Sequence, residues 1–66
     1  MKYDDVKKYE NKKVMILLKN KFRYSGIIKK VNEDSIVLND KYGQDVLIDI
    51  PDIAVLSESF SGGNNT

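Results

Sequence analysis

The segment FRYSGIIKKVNEDSIVLND, residues 22–40, decides the fold. Its first part alternates, with Phe22, Tyr24, Gly26 and Ile28 on one side, which is the period of two of a β-strand. The pattern predicts a strand over 22–32. Gly26 in its middle signals a sharp bend or the close approach of another backbone. The polar triplet Asn32-Glu33-Asp34 makes a turn, and SIVLND, 35–40, is the next strand.

Toward the N-terminus, KKVMILLKN places Val14, Ile16 and Leu18 on one face and Met15 and Leu17 on the other. Both faces are apolar, so this strand is covered on both sides or faces a neighbour. Asn20-Lys21 reads as a two-residue turn in which Lys stands where Gly is usual. Lys21→Gly is therefore expected to be neutral or stabilising. YDDVKKYE, 3–10, reads as one short helix with Asp4 and Asp5 in its first turn and lysines near its end, as the helix dipole favours. Such a helix is unstable alone, and the face carrying Tyr3, Val6 and Tyr9 or Glu10 must dock on something.

Toward the C-terminus, KYG at 41–43 is a turn, QDVLIDI at 44–50 a strand, Pro51-Asp52 a connection and IAVLSES at 53–59 the last strand. The fold class is mainly β: a short N-terminal helix, then five short strands with a strong bend in the second, which suggests a small closed or nearly closed barrel. One domain spans 1–59, and the tail 60–66, without apolar residues from Ser61 onward, is expected to be disordered. An OB-type barrel competes as an alternative, but it expects aromatic residues on the third strand, which has none. An open five-stranded sheet has two edges. The aliphatic strands 44–50 and 53–59 carry little Lys or Pro to protect them, so they tend to pair with another copy.

Sixty-six residues allow one small core. Chains of this size often borrow stability from disulfides, metals or oligomerisation. The sequence has no Cys and no His. That excludes disulfides, thiolate or imidazole metal sites and Cys/His nucleophilic catalysis, and leaves oligomerisation. No run is long and apolar enough for a membrane span and no leader pattern is present, so a cytoplasmic protein is expected. The net charge of +1 hides an asymmetry, since residues 1–30 hold ten bases and three acids while 31–66 hold one base and seven acids. A basic face for an anionic partner is one reading, complementary charge between copies another, and a solvated surface the plain one.

The aliphatic strand ending at Leu18, Gly26 in the bent strand, Val31 before the polar turn, and Leu38 with Asp40 together resemble the first motif of the Sm and Sm-like family (LSm, Hfq-like) of RNA-binding proteins. VLIDIPDIAVL, 46–56, resembles the second motif, with Ile48 and Ile53 in its aliphatic places. The resemblance implies a strongly bent, five-stranded antiparallel open barrel of the SH3 type and a homo-oligomeric ring, roughly six or seven subunits, in which the strand 44–50 pairs with the strand 53–59 of the next copy. It implies single-stranded RNA bound at pore turns contributed by Asn32, Asp34, Ser35, Asp49 and Ile50. At those positions this sequence departs from the family, because Asp49-Ile50 stands in place of a basic pair and Asp34 in place of a stacking aromatic. Glu33, Asp34, Asp49 and Asp52 would make an acidic pore that repels phosphate, so weak uridine binding is expected there. The other readings of that pore are a solvated turn without ligand, a divalent cation on the carboxylates, and residual RNA contact through Asn32, Ser35 and backbone groups.

The basic half offers a better RNA surface. Lys7, Lys8, Lys12 and Lys13 cluster at the helix end and strand entry, near Tyr3 and Tyr9, and Arg23, Lys29 and Lys30 follow along the second strand. Lysine contacts give salt-sensitive, sequence-tolerant binding. The expected function is an RNA-binding scaffold or chaperone of ribonucleoprotein type; the alternative is an Sm-fold assembly protein that binds protein partners instead. No catalytic residue, metal site or cofactor is assigned: Asp45, Asp49 and Asp52 lack an accompanying nucleophile or phosphate loop.

Overall fold

A computed structural model of the chain describes residues 1–59. The expected tail at 60–66 lies outside them. A helix, α1 (Tyr3–Lys7), precedes five strands: β1 (Lys13–Leu18), β2 (Arg23–Val31), β3 (Ser35–Asp40), β4 (Asp45–Asp49) and β5 (Ile53–Glu58). A single 3-10 turn, Ile50–Asp52, joins the last two, with Pro51 where a fixed φ and a missing N–H cost least. The strands form one antiparallel sheet in the order β4-β3-β2-β1-β5, bent but not closed, with β4 and β5 at its edges.

β2 is the hinge of this sheet. Its first half pairs with β1 and its second half with β3, and Gly26 pairs with Val14 on one side and Asp40 on the other. A Cβ at Gly26 would lie 2.1 Å from the Asn39 carbonyl oxygen and 2.8 Å from the Asp40 Cα. The bend is possible because no side chain stands there. Two bulges add to it. Lys29 is skipped between the pairs Ile28↔Leu38 and Lys30↔Val37, and Ala54 between Leu17↔Val55 and Leu18↔Ile53. An extra residue increases local twist and curls the strand. It also turns both Ile28 and Val31, three apart, toward the core.

The core is aliphatic: Val6, Val14, Ile16, Ile28, Val31, Ile36, Leu38, Ile48, Ile50 and Ile53, and among the described residues it buries no polar or charged side chain. Val6 plugs α1 onto the barrel, and Tyr9 packs beside it. The helix is shorter than the 3–10 predicted. After Lys7 it tightens into turns with i→i+3 bonds from Tyr9 N–H to Val6 O (2.9 Å) and Glu10 N–H to Lys7 O (3.2 Å), and Asn11 ends it in the left-handed region at φ 67°. A five-residue helix gains little from propagation, so docking of Val6 and Tyr9 decides where it stops.

The β1–β2 connection also differs from the two-residue turn predicted. Lys21 N–H donates to Leu18 O (2.9 Å) and Leu18 N–H to Phe22 O (2.8 Å), which makes a three-residue loop. Lys21 carries the left-handed conformation, φ 73°, and the Asn20 side chain accepts from Phe22 N–H at 3.0 Å. The β3–β4 loop repeats this pattern with Gly43 at φ 82°, Gly43 N–H to Asp40 O (3.0 Å) and Asp40 N–H to Gln44 O (2.8 Å). Three-residue hairpins want glycine at that place, and only one of the two has it. Lys21→Gly is expected to stabilise the chain by about 0.5–1 kcal/mol and Gly43→Ala to destabilise it by about as much. Urea unfolding of the two variants checks both signs.

Candidate nucleic-acid interface

The β2–β3 turn and the 3-10 turn meet at one end of the barrel. Ser35 pairs with Asp49, and Ile50 N–H donates to Asp34 O at 2.8 Å. Asn32 closes its own turn, N–H to Ser35 O at 2.7 Å and side-chain Nδ2 to Ser35 Oγ at 3.2 Å. The five turn residues singled out from the sequence are thus brought together. Ile50 needs a correction as a surface group, since its side chain is 3% exposed and belongs to the core. The 3-10 turn rotates it inward, and its N–H is already spent on Asp34. Glu33, Asp34, Asp49 and Asp52 are all exposed, so no carboxylate here carries a burial penalty. Among the described residues no three acidic side chains converge to hold a metal ion. One neighbour has no signal in the linear pattern: Lys19 N–H donates to Asp52 O at 2.8 Å, which brings the cationic β1–β2 loop beside the acidic turns.

The lysines form a separate surface. Asn11 N–H bonds Ile28 O (2.7 Å) and Ile28 N–H bonds Lys12 O (3.2 Å), so the bulged Lys29 follows directly on the residue opposite Asn11 and Lys12, with Lys13 one pair further along. Lys7 and Lys8 close the group at the helix end. Arg23 does not join it. Lys13 pairs with Ile27, and Arg23 is four residues further along β2, about 13 Å away at the rise of a strand.

Two of the lysines have partners, Lys7 Nζ with Glu10 Oε1 at 2.6 Å and Lys12 Nζ with Glu58 Oε1 at 3.8 Å. The hydrogen bond to Glu10 raises Lys7 above its ordinary 10.5, and the same bond lowers Glu10 below 4.5. A lowered carboxylate adds stability above its unfolded value that is lost as pH falls through the folded one. A raised lysine adds stability below its unfolded value that is lost as pH rises through the folded one. The pair lies at the surface, with Lys7 exposed and Glu10 half-buried, so the effect is small. Glu10→Gln should lower the urea midpoint slightly at neutral pH, and the difference from the parent chain should vanish once Glu10 is protonated in acid.

The edges form the third feature. Leu47 on β4 is 68% exposed and Val55 on β5 is 52% exposed. Neither strand contains Lys, Arg or Pro, the residues that usually protect an edge from pairing. No helix among the described residues is long and apolar enough to cross a membrane.

No family model matches the chain, and a search of curated proteins finds no match. Among solved structures it is similar to a 1.55 Å crystal structure of the pleiotropic translational regulator Hfq, at 20% sequence identity and a TM-score of 0.72. The similarity covers 82% of this chain and 92% of that one. At such low identity the likeness speaks to architecture: a short helix followed by five antiparallel strands in a bent, unclosed sheet is the Sm fold of Hfq.

Proposed function

We propose that the chain assembles into a homo-oligomeric ring, β4 of one copy against β5 of the next, and that the ring is a non-enzymatic RNA-binding scaffold or chaperone. The observation that carries this reading is the pair of unprotected aliphatic edges, centred on Leu47 and Val55, at the two ends of a sheet that does not close. Edge-to-edge pairing satisfies their free backbone groups and buries both side chains. The fold shared with a translational regulator is in keeping with it. RNA contact falls to the surface of Lys8, Lys13 and Lys29, with Lys7 and Lys12 behind their carboxylate partners. The turn end, where Asn32, Asp34, Ser35 and Asp49 meet, forms an acidic pore with little hold on phosphate.

The test is fluorescence anisotropy of a short single-stranded RNA with the full chain across a salt series. Two to four phosphate contacts predict a slope of log affinity against log salt of about −1.5 to −3. Lys8→Glu with Lys13→Glu should flatten it. A second reading, an assembly protein for protein partners, is favoured by the exposed acids at Glu33, Asp34, Asp49 and Asp52. No RNA binding even at low salt would select it.

A further inference from the structure

A groove of about 390 Å³ lies at the opposite end of β3 from the pore turns, lined by Met15, the 23–25 segment of β2, and Asp40, Lys41 and Tyr42. The register explains it. β3 pairs with β2 only from Gly26 onward, so the β3–β4 loop overhangs residues 23–25 as a shelf. Tyr42, at the tip of the loop, is 78% exposed, and Lys41 Nζ stands 5.4 Å from its ring centroid. The loop is held by Asp40, whose Oδ1 accepts from the N–H groups of Tyr42 and Gln44, both at 2.9 Å. Tyr24, packed on the core, lines one side and Met15, across from Ser25, the other, so that the uncovered edge of β2 lies between two apolar groups. Arg23 and Lys41 supply positive charge at the rim.

A slot with an aromatic platform, two cations and one carboxylate suits a flat base that carries a phosphate. The carboxylate chooses among bases. An ionised Asp only accepts hydrogen bonds, and with Oδ1 engaged by the loop its Oδ2 is left for a ligand. Guanine presents two adjacent donors, N1–H and N2–H. Adenine sets an acceptor beside its donor, and uracil flanks N3–H with two carbonyls. We infer that this groove binds a guanine nucleotide, the base stacked on Tyr42, its N1–H and N2–H edge on Asp40, and its phosphate on Arg23 and Lys41. Stacking displaces Lys41 from the ring face and frees it for the phosphate. The site requires neither ring closure nor the lysine cluster, and it is complete in one protomer.

The experiment is a ¹H–¹⁵N NMR titration of the full chain with GMP, AMP and UMP at millimolar concentration. GMP should shift residues 23–25 and 40–44 and bind about tenfold more tightly than AMP or UMP. Tyr42→Ala, at an exposed loop tip, should weaken GMP about tenfold. Asp40→Asn keeps an oxygen for the loop N–H groups but adds a donor, and it should abolish the preference for guanine. Shifts elsewhere, equal affinity for the three nucleotides, or unchanged binding in Tyr42→Ala would overturn the assignment. A uridine-rich oligonucleotide with one guanine, compared with its all-uridine counterpart and read at residues 23–25 and 40–44, gives the source of the ligand: a gain over GMP that depends on the guanine points to an RNA chain, and no such gain to a free nucleotide. Failure here leaves RNA binding at the lysines to its own salt-series test.

Discussion

Gly26→Ala is expected to destabilise the chain by about 3 kcal/mol or more, the upper end of overpacking penalties. The added methyl would meet the Asn39 carbonyl oxygen at 2.1 Å, and a neighbouring Cα at 2.8 Å. Both belong to backbone, so no rotamer change relieves the clash. β3 would have to move away from β2 at the pair Gly26↔Asp40, where the sheet turns. For a domain of this size each kcal/mol corresponds to about 4–8 °C in Tm, so a fall of more than about 12 °C is predicted. Thermal unfolding by circular dichroism at fixed protein concentration measures it, because ring assembly would make Tm depend on concentration. A Tm within a few degrees of the parent would mean that β2 and β3 are not in contact at Gly26.

Leu47→Lys should leave the protomer folded and break its assembly. Leu47 is 68% exposed and lies outside the core, so the isolated subunit loses little. In the proposed β4-to-β5 junction the same side chain would be buried. The variant forfeits about 2 kcal/mol of apolar burial per junction and places an ammonium where desolvation is costly. That is about thirtyfold in each junction's equilibrium constant, repeated at every junction of the ring. Analytical ultracentrifugation should show small species with an unchanged far-ultraviolet spectrum. Persistence of the parent's mass would move the interface away from β4.

The strands were legible in the sequence because alternation and turn residues agree over 22–40, and Gly26 marks the bend by its lack of a side chain. The bulges at Lys29 and Ala54 were not legible. They arise from how strands of unequal length share β2, which no local pattern encodes. Lys21 in a glycine place of the first hairpin was legible, but the loop has three residues where two were expected. Ile50 looked like part of a polar turn and is a core residue, because the 3-10 turn rotates it inward. Charge was legible where it is local, as in the pair Lys7 and Glu10 three residues apart. The approach of Lys19 to Asp52 and of Lys41-Tyr42 to residues 23–25 depends on tertiary register and left no trace in the sequence.

Native mass spectrometry of the full chain at low salt, with and without a mixed pool of short U-rich and A-rich RNAs, tests the ring and its ligand together. The expected spectrum shows one closed oligomer that gains the mass of RNA, and loses it when salt is raised. A spectrum of protomers alone at every concentration would contradict the ring, and with it the role assigned to the edges at Leu47 and Val55.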